Sequence, residues 1–122
     1  MEWTITIKED DQYAEIVTSG VADRNGSIEM AKGIGIAMSE KKLTRALIDH
    51  SNIVSVSGGA LNVYQRPKQF RDMGVINWLN IAEIVRPEHA NFFGFLETVC
   101  VNSGFGFAIF NDRESALEWL LK

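Results

Sequence analysis

The chain has 122 residues, 46% of them hydrophobic and 23% charged, which is enough for one domain with a sizeable core and unlike a disordered segment. A net charge of −4 argues against nucleic-acid binding, which requires a basic stripe. Cys100 is the single cysteine, so there is neither an internal disulfide nor a cysteine-built zinc site.

"MEWTITIKED" lacks the basic start and long apolar run of a secretory signal. No stretch approaches the roughly 18 apolar residues of a membrane span. The expectation is a cytoplasmic protein with no membrane insertion, built as one domain over residues 1–122.

"WTITIK" alternates, with Trp3, Ile5 and Ile7 on one face, and predicts a half-buried strand. "EDDQ" (9–12) is a turn, and "YAEIVTSG" is a second strand closed by Gly20, so the two predict a hairpin. Ser27 is placed to cap a helix running to about Lys41, with Ile28, Ala31, Ile34 and Met38 at helical spacing. Gly33 and Gly35 lie inside that helix, where the expected reason is close packing against the sheet. Their "GIG" does not follow a strand or open a helix, as a phosphate loop would.

"RALIDH" (45–50) is continuously apolar at its centre and suits a strand covered on both faces. A loop over 51–59 follows, then a helical turn in "GALNVYQ". Pro67 suits the start of a helix, "PKQFRDMG", that stops at Gly74. "INWLNIAEIV" (76–85) is the next strand. Pro87 opens a helix with Phe93, Leu96 and Cys100 facing one way, ended by Gly104. "FGFAIF" (105–110) is a short buried strand. Asn111 or Asp112 caps the last helix, and Glu114 completes a capping-box pattern with Asn111. Ala116, Leu117, Leu120 and Leu121 form its buried face.

The order is β-β-α-β-α-β-α-β-α. This predicts an α/β fold with one mixed sheet, an N-terminal hairpin and helices packed against the sheet. That order resembles the STAS domains of sulfate transporters and bacterial anti-sigma-factor antagonists. "LIDHSNIVSVSGGAL" resembles their element of a strand ending near Asp, a loop with serine and glycine, and a helix. Phe95, Glu97, Thr98, Asn102, Gly104, Phe110, Asp112, Ala116, Trp119 and Leu120, with "YQRPKQFRDMG", resemble uncharacterised STAS-like proteins similar to sporulation antagonists. The resemblance implies a non-catalytic regulatory or protein-interaction module. It presents the 50–59 loop and the following helix to a partner protein, with room for a homodimer.

The resemblance also brings Ser57 to or beside the phosphoacceptor position, although "SVSGG" lacks the aspartate that precedes the phosphorylated serine in regulated antagonists. The candidate partner-binding or phosphoacceptor residues are therefore Asp49, His50, Ser51, Ser55, Ser57, Gly58 and Gly59. A phosphate there would lie near a helix N-terminus, where free N–H groups favour negative charge. The simpler reading of the serines is turn formation and capping.

Consecutive Asp49, His50 and Ser51 point to alternate faces of a strand and cannot relay protons among themselves. In the structural reading Asp49 and Ser51 bond to loop backbone and His50 is partly exposed. His50 and His89 lack metal-ligand spacing, so no cofactor is expected, and Cys100 reads as an inert core thiol. The alternative function is a carrier or sensor of a small apolar molecule held between sheet and helices by aromatics such as Tyr64, Trp78, Phe92 and Phe93. It rests on a likeness in outline between STAS-like and CRAL-TRIO lipid-transfer domains.

Overall fold

The computed structural model describes residues 1–57, 65–72 and 79–122. Five strands form one sheet in sequential order: β1 (Glu2–Lys8), β2 (Tyr13–Ala22), β3 (Arg45–Val56), β4 (Asn80–Ile84) and β5 (Gly106–Phe110). β1 and β2 are antiparallel, joined by the expected turn at 9–12, and β2 to β5 are parallel. The helices are α1 (Arg24–Lys41), α2 (Arg66–Asp72), α3 (Ala90–Asn102) and α4 (Arg113–Leu120), with one 3-10 turn, Pro87–His89, leading into α3.

Sequential strand order places the helices. Each crossover steps the same way along the sheet, so crossovers of one hand all pass over one face. Met30, Ile34 and Met38 of α1, Phe70 of α2, and Phe93 and Leu96 of α3 accordingly share one core with Ile16, Ile48, Ile81 and Phe107. α4 follows the last strand and is free of that constraint. It covers the other face, where Ala116 and Leu120 meet Tyr13, Leu47, Ala82 and Ile84. β3 is the middle strand, and Ala46, Leu47 and Ile48 are buried alternately on the two sides, as its apolar run implies. Full burial of side chains such as Ile16, Leu47 and Ile53 contributes roughly 1.5–3 kcal/mol each.

Several boundaries differ from expectation. α1 begins one turn earlier, because Asp23 follows β2 directly and its side chain accepts from Gly26 N at 2.6 Å; Ser27 lies inside the first turn. The cap of α4 is Asp112, whose carboxylate accepts from Ser115 N at 2.7 Å. β2 continues past Gly20 (φ 87°), with register shifts against β3 on either side of it. The expected helical turn 59–65, the stop at Gly74 and the first residues of the strand begun at Ile76 lie largely outside the described residues.

Candidate functional site

The stretch expected as a loop is mostly strand. β3 runs on to Val56 because the lengthened β2 supplies partners for it: Ser19 faces Asn52, Gly20 faces Ile53, Val21 faces Ser55 and Ala22 faces Val56. Ser57 N then donates to Ala22 O at 2.8 Å. Gly58 and Gly59 lie outside the described residues. Ile53 is fully buried, whereas Ser51, Asn52, Ser55 and Ser57 are exposed and Val54 is 65% exposed. Asp49 turns its carboxylate onto Ser51, accepting from its N at 2.9 Å and its Oγ at 2.5 Å. Those two residues are thus brought together, while Ser55 and Ser57 lie farther along the strand.

His50 is not partly exposed; it is 3% exposed. Strand alternation decides this: Asp49 shares a face with Leu47 under α4, and His50 shares the other with Ile48 under α1 to α3. Thr18 Oγ1, itself fully buried, lies 2.7 Å from His50 Nδ1 and donates to the Asp49 carbonyl at 3.2 Å. On the far side of the ring, His50 Nε2 lies 3.4 Å from Glu83 Oε1. Phe93 stacks on the imidazole at 4.7 Å between centroids. The ring points toward Thr18 and Glu83, away from Asp49 and Ser51, so it makes no relay with the latter two.

His50, Glu83 and Phe93 help line a cavity of about 60 Å³ between the sheet and α1, α2 and α3. Its walls are apolar, with Met30, Ile34, Phe92, Phe93 and Leu96 prominent, and its polar side chains include His50, Arg66 and Glu83. Arg66 and Glu83 are 3% and 4% exposed. Burial pushes the Arg66 guanidinium below its ordinary pKa, with the Glu83 charge opposing the shift. Yet Arg66 Nε and Glu83 Oε1 both lack a hydrogen-bond partner. The sequence reading missed both residues. The available signal was Glu83 itself, a lone carboxylate in the apolar run "NIAEIV" of a strand expected to be covered.

Cys100, fully buried on α3, has its thiol pushed up to about 12 by burial, with Glu83 adding to the shift and Arg66 opposing it. It is the inert thiol expected. His89 starts α3 and is also buried. Among the described residues no three His, Cys, Asp or Glu side chains gather as a metal site requires, and no helix is long and apolar enough to cross a membrane.

The architecture matches that of solved proteins over nearly its whole length. One is the anti-sigma factor antagonist SpoIIAA in its unphosphorylated form, with TM-score 0.54 and 13% identity over 93% of this chain and 92% of that one. The chain has the SpoIIAA-like fold. A second match is an uncharacterised protein of the DUF3478 family with a SpoIIAA-like fold from Shewanella loihica PV-4. Its TM-score is 0.59 and its identity 21%, over 98% of this chain and 92% of that one. A third is an anti-sigma factor antagonist from Mycobacterium paratuberculosis, with TM-score 0.59 and 13% identity over 99% of this chain and 96% of that one. No protein-family model matches the chain, and no curated protein does. Within this SpoIIAA-like sheet the 51–57 stretch continues from the carboxyl end of a parallel strand, the end where open α/β sheets carry their binding segments. The fold expected from the STAS resemblance is the fold found.

Proposed function

We propose that this protein is a non-catalytic cytoplasmic regulatory module that docks another protein through the outer side of β3 from Ser51 to Ser57. The observation that supports it is the pattern of exposure there. Ile53 anchors the strand in the core while Val54, a large apolar side chain, stands 65% exposed among Ser51, Asn52, Ser55 and Ser57. Val21, opposite Ser55 on β2, is 39% exposed and extends the apolar surface. β4 pairs with β3 only as far as Asp49. An apolar residue rimmed by hydroxyls on a rigid strand suits a docking surface better than a solvated one.

The names of the similar structures, anti-sigma factor antagonists, favour a protein partner. Ser57 is then the regulated hydroxyl: its backbone is tied to Ala22 while the residue remains exposed. A phosphate on it would place charge at the interface. The apolar-carrier alternative draws less support, because a cavity of about 60 Å³ is far below the several hundred Å³ of pockets for drug-sized ligands.

A photo-crosslinking residue introduced at Val54, and separately at Ile36 on the exposed side of α1, tests this reading in cells of the source organism. Discrete adducts from Val54 alone are expected, weakened by Ser57→Asp and retained in Ser57→Ala. Equal adducts from both positions, or none from either, would sink it.

A further inference from the structure

We infer that the cavity between the sheet and α1 to α3 is a binding site for a small apolar α-amino acid, its carboxylate on Arg66 and its ammonium on Glu83. The argument stands apart from the docking reading.

It begins with charge. Arg66 is 3% exposed and takes part in none of the ion pairs among the described residues. The stretches outside that description, 58–64 and 73–78, contain no Asp or Glu. A guanidinium remains charged in any protein environment, and the desolvation of Arg66 is offset only in part by the nearby charges of Glu83 and Asp23. Glu83, 4% exposed, has the complementary deficit: its Oε1 lies 3.4 Å from His50 Nε2 but makes no hydrogen bond. One cavity is therefore lined by two residues that each carry a buried polar atom without a hydrogen-bond partner, Arg66 with its Nε donor and Glu83 with its Oε1 acceptor.

A ligand that answers both must offer an acceptor and a donor. The charges refine the choice. Arg66 brings one positive charge and Glu83 the opposing one, so a plain anion would be repelled by Glu83 and a plain cation by Arg66. A zwitterion meets each with its opposite, and charge-assisted hydrogen bonds are stronger than neutral ones. The rest of the cavity is hydrocarbon and aromatic: Met30, Ile34, Phe92, Phe93 and Leu96 leave an apolar side chain as the only suitable remainder. The volume of about 60 Å³ restricts it to a few heavy atoms, on the scale of valine, and excludes long acyl chains.

The test is a titration of the full-length protein followed by the Arg66 Nε–Hε resonance and the methyl signals of Met30 and Ile34. The probes are L-valine, isovalerate, which lacks the ammonium, and isobutylamine, which lacks the carboxylate. Saturable shifts with L-valine are expected, with each truncated probe about ten- to hundredfold weaker, as loss of one charged hydrogen bond implies. Arg66→Gln and Glu83→Gln should each weaken valine by a similar factor. Should those variants fold poorly, Gly35→Leu provides a second route: position 35 lines the cavity from mid-α1, and a leucine improves helix propensity while filling the space. It should retain the fold by circular dichroism and lose the valine response. No shift with valine in the wild type would overturn the inference, since the cavity would then hold only water. Binding of isovalerate as tight as that of valine would also overturn it, as would a valine response unchanged in Gly35→Leu.

Discussion

At the scale of single residues, the telling pair is His50 and Glu83. Both are almost fully buried, and His50 Nε2 lies 3.4 Å from Glu83 Oε1. His50→Phe keeps an aromatic ring beside Phe93 but leaves Glu83 without its imidazole. Leaving a buried polar group without its neighbour costs about 1–3 kcal/mol, more for a charged one, whereas replacing both with apolar groups of similar shape is close to neutral. His50→Phe should therefore lower the denaturant midpoint sharply, and adding Glu83→Leu to it should restore most of the loss. Additive losses would show that the two do not interact.

Asp112 shows the same dependence on charge at the surface. Hydrogen bonds from the Ser115 backbone and side chain hold its carboxyl below its ordinary pKa. A folded-state pKa below the unfolded one means stability that is present above the unfolded value and lost as pH falls through the folded value. Asp112→Ala should melt below wild type at neutral pH, and the two melting curves should converge once pH drops below the carboxylate range. A gap of constant size across that range would rule out the ionised cap.

At the scale of elements, the glycines of α1 were expected to permit close packing, and Gly33 does not need to. A Cβ built there meets Ile5 Cδ1 at 3.6 Å and Trp3 Nε1 at 3.7 Å, ordinary contact distances. Gly33→Ala should raise stability by about 0.5–1 kcal/mol through helix propensity alone, read as a higher melting temperature. Gly106 at the start of β5 is the opposite case. A Cβ there would displace the Asn80 side chain and approach Leu79 O to 3.0 Å, so a larger residue is disfavoured at the strand's entry. α4 is short, and its attachment rests on few side chains. Leu120 is 2% exposed and joins Ala116 against Leu47 and Ala82. Leu120→Ala should cost about 2–5 kcal/mol, and a midpoint equal to wild type would show that α4 is not part of the cooperative fold.

At the scale of the whole molecule, Cys100 reports on global opening. It is fully buried in the larger core with a thiol raised to about 12, so neither exposure nor ionisation favours reaction in the native state. Reaction with a thiol reagent should be negligible in native protein and complete in denaturant. Its rate between those limits should follow the global unfolding curve. Fast native reaction would mean that α3 opens by itself.

Local pattern carried most of the fold. The alternation of "WTITIK", the apolar run at Ala46–Ile48 and the helical spacing of Phe93, Leu96 and Cys100 are signals between residues close in the chain, and the structure has the elements they imply. Burial is harder to read at a boundary. Whether 51–56 is loop or strand depends on a partner thirty residues away, and β2 provides one only because it continues past Gly20. The candidate site divides in the same way. The serines and Asp49 were legible because polar residues after an apolar strand are a local signal. The cluster of Thr18, His50, Arg66 and Glu83 was not, because its members come from three strands and a helix and meet only when the sheet and its crossovers are assembled. Sequence alone determined the element order, since periodicity and caps act within a few residues. Tertiary structure alone decided that His50 faces inward onto Glu83 and that Arg66 is buried without a counter-ion, since strand parity and helix docking set which face each side chain enters.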